Sequence, residues 1–318
     1  ANGRTRGAMA SLRYKPLNLG RWLVWGGLAL LLIVPPLVFT QSFALTLMSQ
    51  MCIGMVFALS YNMLLGQSGM LSFGHAVYSG LGAYFAIHAL NLVGKGQIWF
   101  PVTLLPLIGG LAGMLFAVAL GYVTTRRSGT TFAMISLGIG EMIAACSLML
   151  PGFFGGEGGV TTNRVVGQPF LGISYGPAIQ VYYLIAAWTF VCTVAMFAFT
   201  HTPLGRIANA VRDNPERAEF IGYNPQRVRW LVMILSGFFA GVAGGLSCIN
   251  FEIVSAENVG SVRSGGVLIA TYIGGAGFFF GPILGAIVFA AMVTAVGTLT
   301  KAWLFYLGLL FLVMVLQA

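Results

Sequence analysis

The chain has 318 residues, of which 58% are hydrophobic and only 7% charged, with a formal net charge of +9. A soluble domain carries about 25% charged residues, so no water-exposed globular surface can be built from this composition. A soluble enzyme, a disordered chain, a collagen-like chain and a disulfide-rich secreted fold are excluded. A polytopic membrane protein remains.

Four stretches hold no charged side chain: Trp22–Gly94, Gly96–Thr125, Val165–Gly205 and Ser264–Thr300. Each exceeds the roughly 20 residues that a membrane-crossing helix needs. They are continuously apolar, not alternating with period two, which specifies an all-α bundle and not a barrel. The 44 glycines suit close helix–helix contact in lipid.

In chain order, residues 1–21 form a basic segment with Arg4, Arg6, Arg13, Lys15 and Arg21 and no acid, and 22–318 read as one transmembrane domain. Nine apolar segments are expected, within a range of about eight to ten: Trp22–Phe39, Phe43–Leu65, Gly69–Val93, Trp99–Val123, Thr130–Leu150, Ala178–Thr200, Trp230–Phe251, Gly265–Val296 and Ala302–Leu316. Gly274, Gly275, Gly277, Gly281 and Pro282 should cut the eighth into two short pieces, as a broken helix is tolerated where protein or a cavity satisfies the freed backbone. The apolar run at Ala318 is expected to continue in the natural sequence. Cys52, Cys146, Cys192 and Cys248 lie singly in apolar stretches and read as small core residues.

Most basic residues fall in three segments: the tail, Arg126 and Arg127, and the loop 201–229 with Arg206, Arg212, Arg217, Arg227 and Arg229. Counting spans from the tail puts all three on one side, the cytoplasmic side by the positive-inside rule. The positive charge therefore expresses topology, and nucleic-acid binding is not expected.

Polar residues inside a membrane are costly and mark candidate sites. Gln67, Ser68, Ser72 and His75 cluster between two apolar runs; they either line a polar path or satisfy backbone groups at a helix junction. Glu141 is the one carboxylate within an apolar span, facing a water-filled interior, a neighbouring helix or a membrane surface. The stretch Gly66-Gln-Ser-Gly69, Gly74-His75, Gly82-Ala83 weakly resembles Gly274-Gly-Ala-Gly277, Gly281-Pro282, Gly285-Ala286 in the other half. Paired interrupted helices point to a transport pathway, although glycines also recur by chance in so glycine-rich a chain.

The loop 151–177 carries Gly155, Gly156, Glu157, Gly158 and Gly159 and is expected outside. No GKS or GKT follows it, so it is no phosphate-binding P-loop, and no Walker motif, nucleophile elbow or metal constellation occurs in the chain. Catalytic residues and metal ligands are therefore not expected.

The inward loop 201–229 is the most informative. Arg206–Arg212 is expected as a short amphipathic helix with Ile207, Ala210 and Val211 on one side. Asn214-Pro215 starts a second, with Glu216, Arg217 and Glu219 on its first turns and Gly222 as its stop. A charged helix–turn–helix on the membrane surface suits docking of a peripheral partner, or a solvated connector.

Here the sequence meets a family. GRIANAVRDNPERAEFIGYNPQRVR resembles the cytoplasmic coupling loop of permeases in the branched-chain amino acid ABC-transporter family, with Arg212-Asp213-Asn214 most like the M-type subunit. Gly66-Gln-Ser-Gly69-Met-Leu-Ser72-Phe-Gly74-His75, then Arg127-Ser-Gly129 with Phe132-Ala133 and Gly140-Glu141, and Gly274-Gly-Ala-Gly277 with Gly281-Pro282-Ile-Leu-Gly285-Ala286 are similar to further motifs of that family. The likeness covers roughly residues 45–316.

The resemblance implies a multi-pass subunit of the bacterial inner membrane, its N-terminus cytoplasmic. It would pair with a related second permease, two ABC ATPases and an extracytoplasmic binding protein. ATP and Mg would be used by the ATPases, with no cofactor bound by this chain. Arg206, Arg212, Asp213, Asn214, Glu216, Glu219 and Gly222 would belong to the ATPase coupling element, and Gln67, Ser68, Ser72, His75 and Glu141 to the pathway. The loop at Gly155–Gly159 would face the binding protein. The loop departs from the general Glu-Ala-Ala pattern of importers, since Ala218-Glu219-Phe220 precedes Gly222. The implied substrates are leucine, isoleucine and valine, with urea, short amides or aromatic acids as alternatives. An ion-coupled secondary transporter is the competing class, and broken helices suit it equally.

Overall fold

The computed structural model describes residues 19–165 and 174–300, with Ala302, Phe305, Tyr306, Gly308, Leu309, Leu312 and Val313 beyond them. Of the expected features, residues 1–18 of the basic tail and most of the segment Ala302–Leu316 lie outside the described residues.

The helices are α1 (Leu19–Ile33), α2 (Pro35–Val38), α3 (Ser42–Ser68), α4 (Ala76–Gly94), α5 (Leu105–Thr124), α6 (Thr130–Met149), α7 (Pro151–Phe154), α8 (Ala178–His201), α9 (Pro203–Asp213), α10 (Pro215–Phe220), α11 (Pro225–Phe251), α12 (Ser261–Gly274) and α13 (Gly281–Leu299). Two residue pairs form a small antiparallel ribbon, β1 (Val160–Thr161) on β2 (Ile253–Val254). Among the described residues, seven helices are long and apolar enough to cross a membrane. The chain is an all-α multi-pass membrane protein.

The centre of the bundle is α11, packed on α3, α4 and α5. Its contact with α5 is made by glycines four residues apart. Gly109 and Gly113 of α5 lie backbone to backbone with Gly237, Gly241 and Gly245 of α11, and a Cβ on Gly245 would come 2.9 Å from Pro106 Cα. Gly82 and Gly244 bring α4 equally close. Lipid tails are as apolar as leucine, so close van der Waals packing has to supply the association between helices. Hydroxyls bond across the remaining contacts: Ser236 Oγ donates to Ser60 O at 2.6 Å, and Thr189 Oγ1 to Cys52 O at 3.3 Å. Tyr182 Oη of α8 donates to Leu32 O at 2.8 Å, tying α8 to α1. Cys52, Cys192 and Cys248 are buried and all four thiols are free.

Two expected segments are revised. Gly69–Val93 is not one helix, because residues 69–75 run as non-helical backbone before α4 begins. Gly265–Val296 is cut into two pieces as expected, but these form an antiparallel hairpin of α12 and α13 and not two halves of one span. Gly274 lies against Gly281, Gly285 against the Ala270 carbonyl, and Gly266 against Phe289. Without side chains at 274, 281 and 285 the two backbones touch, and the chain reverses over residues 275–280.

Candidate functional site

One end of the bundle carries α9 and α10. Thr202 caps α9 by accepting from Gly205 N at 3.2 Å, with Pro203 in its first turn. Asn214 caps α10 by accepting from Arg217 N at 2.9 Å, and Asn224 caps α11 by accepting from Arg227 N at 3.1 Å. Gly222, at φ +98°, ends α10: its N–H donates to Glu219 O at 2.9 Å and Tyr223 N–H to Ala218 O at 3.1 Å. This is the Schellman closure, which favours glycine because no Cβ opposes the left-handed turn. The helix start at Asn214-Pro215 and the stop at Gly222 match the expectation from sequence, whereas α9 runs beyond the expected Arg206–Arg212 at both ends.

The buried face of α9 corrects it. Gly205, Ala208 and Val211 are buried, with Leu204 and Ile207 packed beside them. Ala210, expected on that face, is exposed. The stripe 204, 207, 208, 211 follows the i, i+3, i+4, i+7 spacing, and Ala210 falls one position off it.

Polar bonds join α9 to the end of α3. Asn209 Nδ2 donates to Gln67 Oε1 at 3.1 Å, and Arg212 Nη1 donates to Gly66 O. Arg212 Nε also donates to Asp213 Oδ1 at 2.9 Å. Arg206, Arg212, Asp213, Asn214, Glu216 and Glu219 are exposed. So are Phe220, Ile221 and Tyr223, with Phe220 at 91%. Sequence reasoning missed this apolar tip. Its signal was there: Phe220-Ile221-Gly222-Tyr223 sets three large apolar residues around a helix stop, where Ala218 suffices to pack so short a helix.

The chain breaks directly above this end. Gly69, at φ +67°, closes α3 where Arg212 Cγ would lie 2.8 Å from an added Cβ. The non-helical stretch 69–75 then threads the interior. Its backbone is satisfied by hydroxyls: Phe73 N donates to Ser136 Oγ at 3.1 Å, and Ala76 N to Ser264 Oγ at 3.0 Å. This is what lets non-helical backbone exist at membrane depth. Gly66 also lies against the Ala276 carbonyl, so the two glycine-rich breaks meet in space.

The four polar residues of the first break separate into two pairs. Gln67 is held by α9, and Ser68 Oγ donates to Met63 O at 3.1 Å at the end of α3. Ser72 and His75 are fully buried deeper in. His75 sits in an aromatic box, stacked on Phe57 at 5.5 Å between centroids and edge-on to Tyr61 and Tyr78. Its Nε2 lies 3.0 Å from Ser60 Oγ. Ser60 Oγ already donates to Phe57 O at 2.7 Å, so His75 supplies the Nε2 proton. Nδ1 of His75, Ser72 Oγ and Tyr61 Oη have no hydrogen-bond partner among the described residues.

Glu141 stands on the outward face of α6, exposed in the single chain and flanked by exposed Met134, Gly138 and Met142. It makes no hydrogen bond or ion pair among the described residues.

At the opposite end, α7 and a single 3₁₀ turn, Gly156–Gly158, form a compact knuckle on the ribbon. His88 Nε2 lies 2.7 Å from Phe153 O, and Phe154 is buried against Tyr84. Gly155 and Gly159 are packed against backbone, whereas Glu157 and Gly158 form the exposed tip. Arg164 clamps the knuckle to α11: Nε donates to Tyr175 O at 3.0 Å and Nη1 to Asn250 O at 3.3 Å, while Glu252 Oε1 accepts from Arg164 N at 2.8 Å.

A cavity of about 650 Å³ lies between α3, the end of α11 and the α12–α13 hairpin. Ile53, Phe57, Val267, Ala270, Phe289 and Val293 are among its apolar lining, Glu257 and Arg263 give it charge, and Asn258 adds a neutral amide. Sequence reasoning did not find it, because its walls come from three separate parts of the chain.

Comparison with known proteins adds the following. A description of branched-chain amino acid transport system permease components matches residues 43–317. The high-affinity branched-chain amino acid transport system permease protein LivM of Escherichia coli is 28% identical over 253 residues, 73% of this chain and 58% of the relative. LivH of Salmonella typhimurium is 24% identical over 249 residues, 73% of this chain and 77% of the relative. The fructose import permease protein FrcC of Rhizobium meliloti is 25% identical over 254 residues, 72% and 67% respectively. The chain thus spans 58% of the length of the LivM relatives it matches. No solved structure matches it.

Proposed function

We propose a function from one premise: the chain belongs to the family of branched-chain amino acid transport system permease components. It is the membrane subunit of an ATP-driven importer, a transport component and not an enzyme. Residues 22–318 act as one transmembrane domain. A related second permease pairs with it, two ABC ATPases bind ATP and Mg, and an extracytoplasmic binding protein delivers leucine, isoleucine or valine. The relatives named LivM and LivH support the pairing and the substrate. A relative named for fructose import makes fructose a proper control, beside urea, short amides and aromatic acids as the alternative substrates.

The observation that carries this reading is the join between α9 and the broken end of α3. An ATPase that grips the exposed tip of α9–α10 pulls on Arg212 and Asn209, which bond Gly66 and Gln67 in the last turn of α3, just before the non-helical segment. Phe220 and Ile221 enter an apolar groove of the ATPase, and Asp213, Glu216 and Glu219 frame them. Gly222 sets the turn that presents them, and Arg206, exposed on α9, adds positive charge to the coupling element. Movement at the break changes access to Ser72 and His75 along the path. Glu141 faces the second permease or the path, since a carboxylate on lipid would be costly. Arg126, Arg127 and the arginines of α9–α11 share one end, which by the positive-inside rule faces the cytoplasm of a bacterial inner membrane and leaves the N-terminus there. The knuckle at Gly155, Gly156, Glu157, Gly158 and Gly159 then meets the binding protein.

The test is co-purification of the coexpressed assembly. Asp213→Arg with Glu216→Arg should reduce ATPase retention and leucine uptake about tenfold or more, because like charges at an interface cost several kcal/mol. Unchanged retention and uptake would defeat the docking assignment.

A further inference from the structure

The cavity between α3 and the α12–α13 hairpin holds an unusual pair of charges. Arg263 Nη1 donates to Asn258 Oδ1, and its Cζ lies 5.7 Å from the centroid of the Phe57 ring. No carboxylate pairs with Arg263 among the described residues, where the ion pairs are Arg164–Glu252 and Arg212–Asp213. Glu257, itself exposed, lines the same cavity and makes no ion pair among the described residues. A guanidinium against apolar walls is costly until its charge is met, and Asn258 engages one part of a five-donor fork. What remains suits a carboxylate bound through two parallel N–H bonds. Glu257 is the complementary acceptor for a cation. Apart from Gln50, Ser247 and Asn258 the rest of the lining is apolar, and the volume lies in the range of small-molecule sites, about 300–1,000 Å³.

We propose that this cavity is a binding site, within the chain itself, for the zwitterion of an aliphatic α-amino acid. Its carboxylate sits on Arg263, its ammonium on Glu257, and its side chain against Ile53, Phe57, Val267 and Phe289. The inference rests on the amino-acid import reading and gives it a recognition chemistry that the coupling loop cannot supply. Phe57 joins the site to the break, since the same ring stacks on His75 and lies under Arg263. A bound side chain against Phe57 therefore lies one ring away from His75, at the end of the non-helical segment.

The test uses the full permease pair with its ATPases in nanodiscs, without the binding protein. Radiolabelled L-leucine should bind saturably, and about tenfold or more weakly to Arg263→Gln or to Val293→Trp, which fills the cavity from a half-buried wall. On the wild type, leucinamide lacks the carboxylate and 4-methylpentanoate lacks the ammonium, and each should compete about tenfold worse than leucine. On Arg263→Gln, leucine and leucinamide should become equal, while 4-methylpentanoate remains the poorer ligand. Should Arg263→Gln fail to assemble, Val293→Trp and the ligand series on the wild type decide. Leucine uptake by binding-protein-supplied proteoliposomes separates the two levels. Uptake together with unaltered binding in both variants, or with leucinamide equal to leucine on the wild type, overturns this site alone. No leucine uptake by the wild type overturns the substrate reading and the site with it.

Discussion

Glycine does opposite things in two regions of this molecule. In α5 and α11 it leaves the helices unbroken and lets them touch: Gly109, Gly113, Gly237, Gly241 and Gly245 sit at intervals of four on facing surfaces. At 66–75 and 274–281 it ends helices, and the chain continues as non-helical backbone. The residues around each glycine decide between these outcomes. Mostly apolar helix-compatible residues such as Ala112, Met114, Ala240 and Leu246 flank the first set and keep the helix as the lowest state. Gln67, Ser68, Ser72 and a run of Phe278, Phe279, Phe280 before Pro282 flank the second. Hydroxyls of Ser136 and Ser264, brought from other helices, make the first break affordable in an apolar interior. One region is a rigid spine and the other is where the backbone has somewhere to move.

The comparison breaks most severely at the spine. Gly241→Val drives a branched side chain into the α5 backbone at Gly109, a position with no flexible neighbour to yield. Overpacking of this kind costs about 3 kcal/mol or more, and the expected outcome is loss of the monodisperse peak in size-exclusion chromatography. A well-folded variant would show that the spine tolerates separation.

A smaller effect is expected where the breaks meet the coupling helix. Arg212→Ala removes the bond to the Gly66 carbonyl, worth about 1 kcal/mol or less for a side chain more than a third exposed. Thermal stability should fall by only a few degrees, while ATP hydrolysis continues and leucine uptake drops. Uptake in constant ratio to hydrolysis would mean that α9 does not act through α3.

The least effect belongs to a glycine of neither kind. Gly138, on the outward face of α6, has nothing within 4 Å of an added Cβ. Gly138→Ala should leave the thermal unfolding of the isolated chain unchanged or raise it slightly, as alanine favours helix by up to about 1 kcal/mol. A clear loss of stability there would contradict the outward placement of that face, and with it that of Glu141.

Much of this architecture was legible along the chain. Apolar runs located most crossing helices to within a few residues. The sequence Asn214-Pro215 announced a helix start, and Gly222 a stop, since each rests on a bond between near neighbours. The reading stumbled where a local pattern had two solutions. Gly265–Val296 is apolar and glycine-punctuated whether it crosses once or folds on itself, and contact between Gly285 and Ala270 chose the hairpin. Ala210 is apolar but stands off the stripe that α3 and α11 cover. Gln67 and Ser72, five residues apart, part company because Gln67 meets Asn209 of α9 whereas Ser72 turns inward.

The amino-acid sequence was enough to specify a helical membrane protein, the order of its spans, and the charged loop that turns back at one end. Those features follow from the cost of burying charge in lipid and from hydrogen bonds between residues a few positions apart. Which glycines pack and which break, what satisfies the backbone from 69 to 75, and how Arg263, Glu257 and Phe57 come to face one cavity were decided only by tertiary structure. The residues involved lie far apart in the chain, and without a hydrophobic drive between helices in lipid, the fit of their backbones and the pairing of their polar groups select one arrangement.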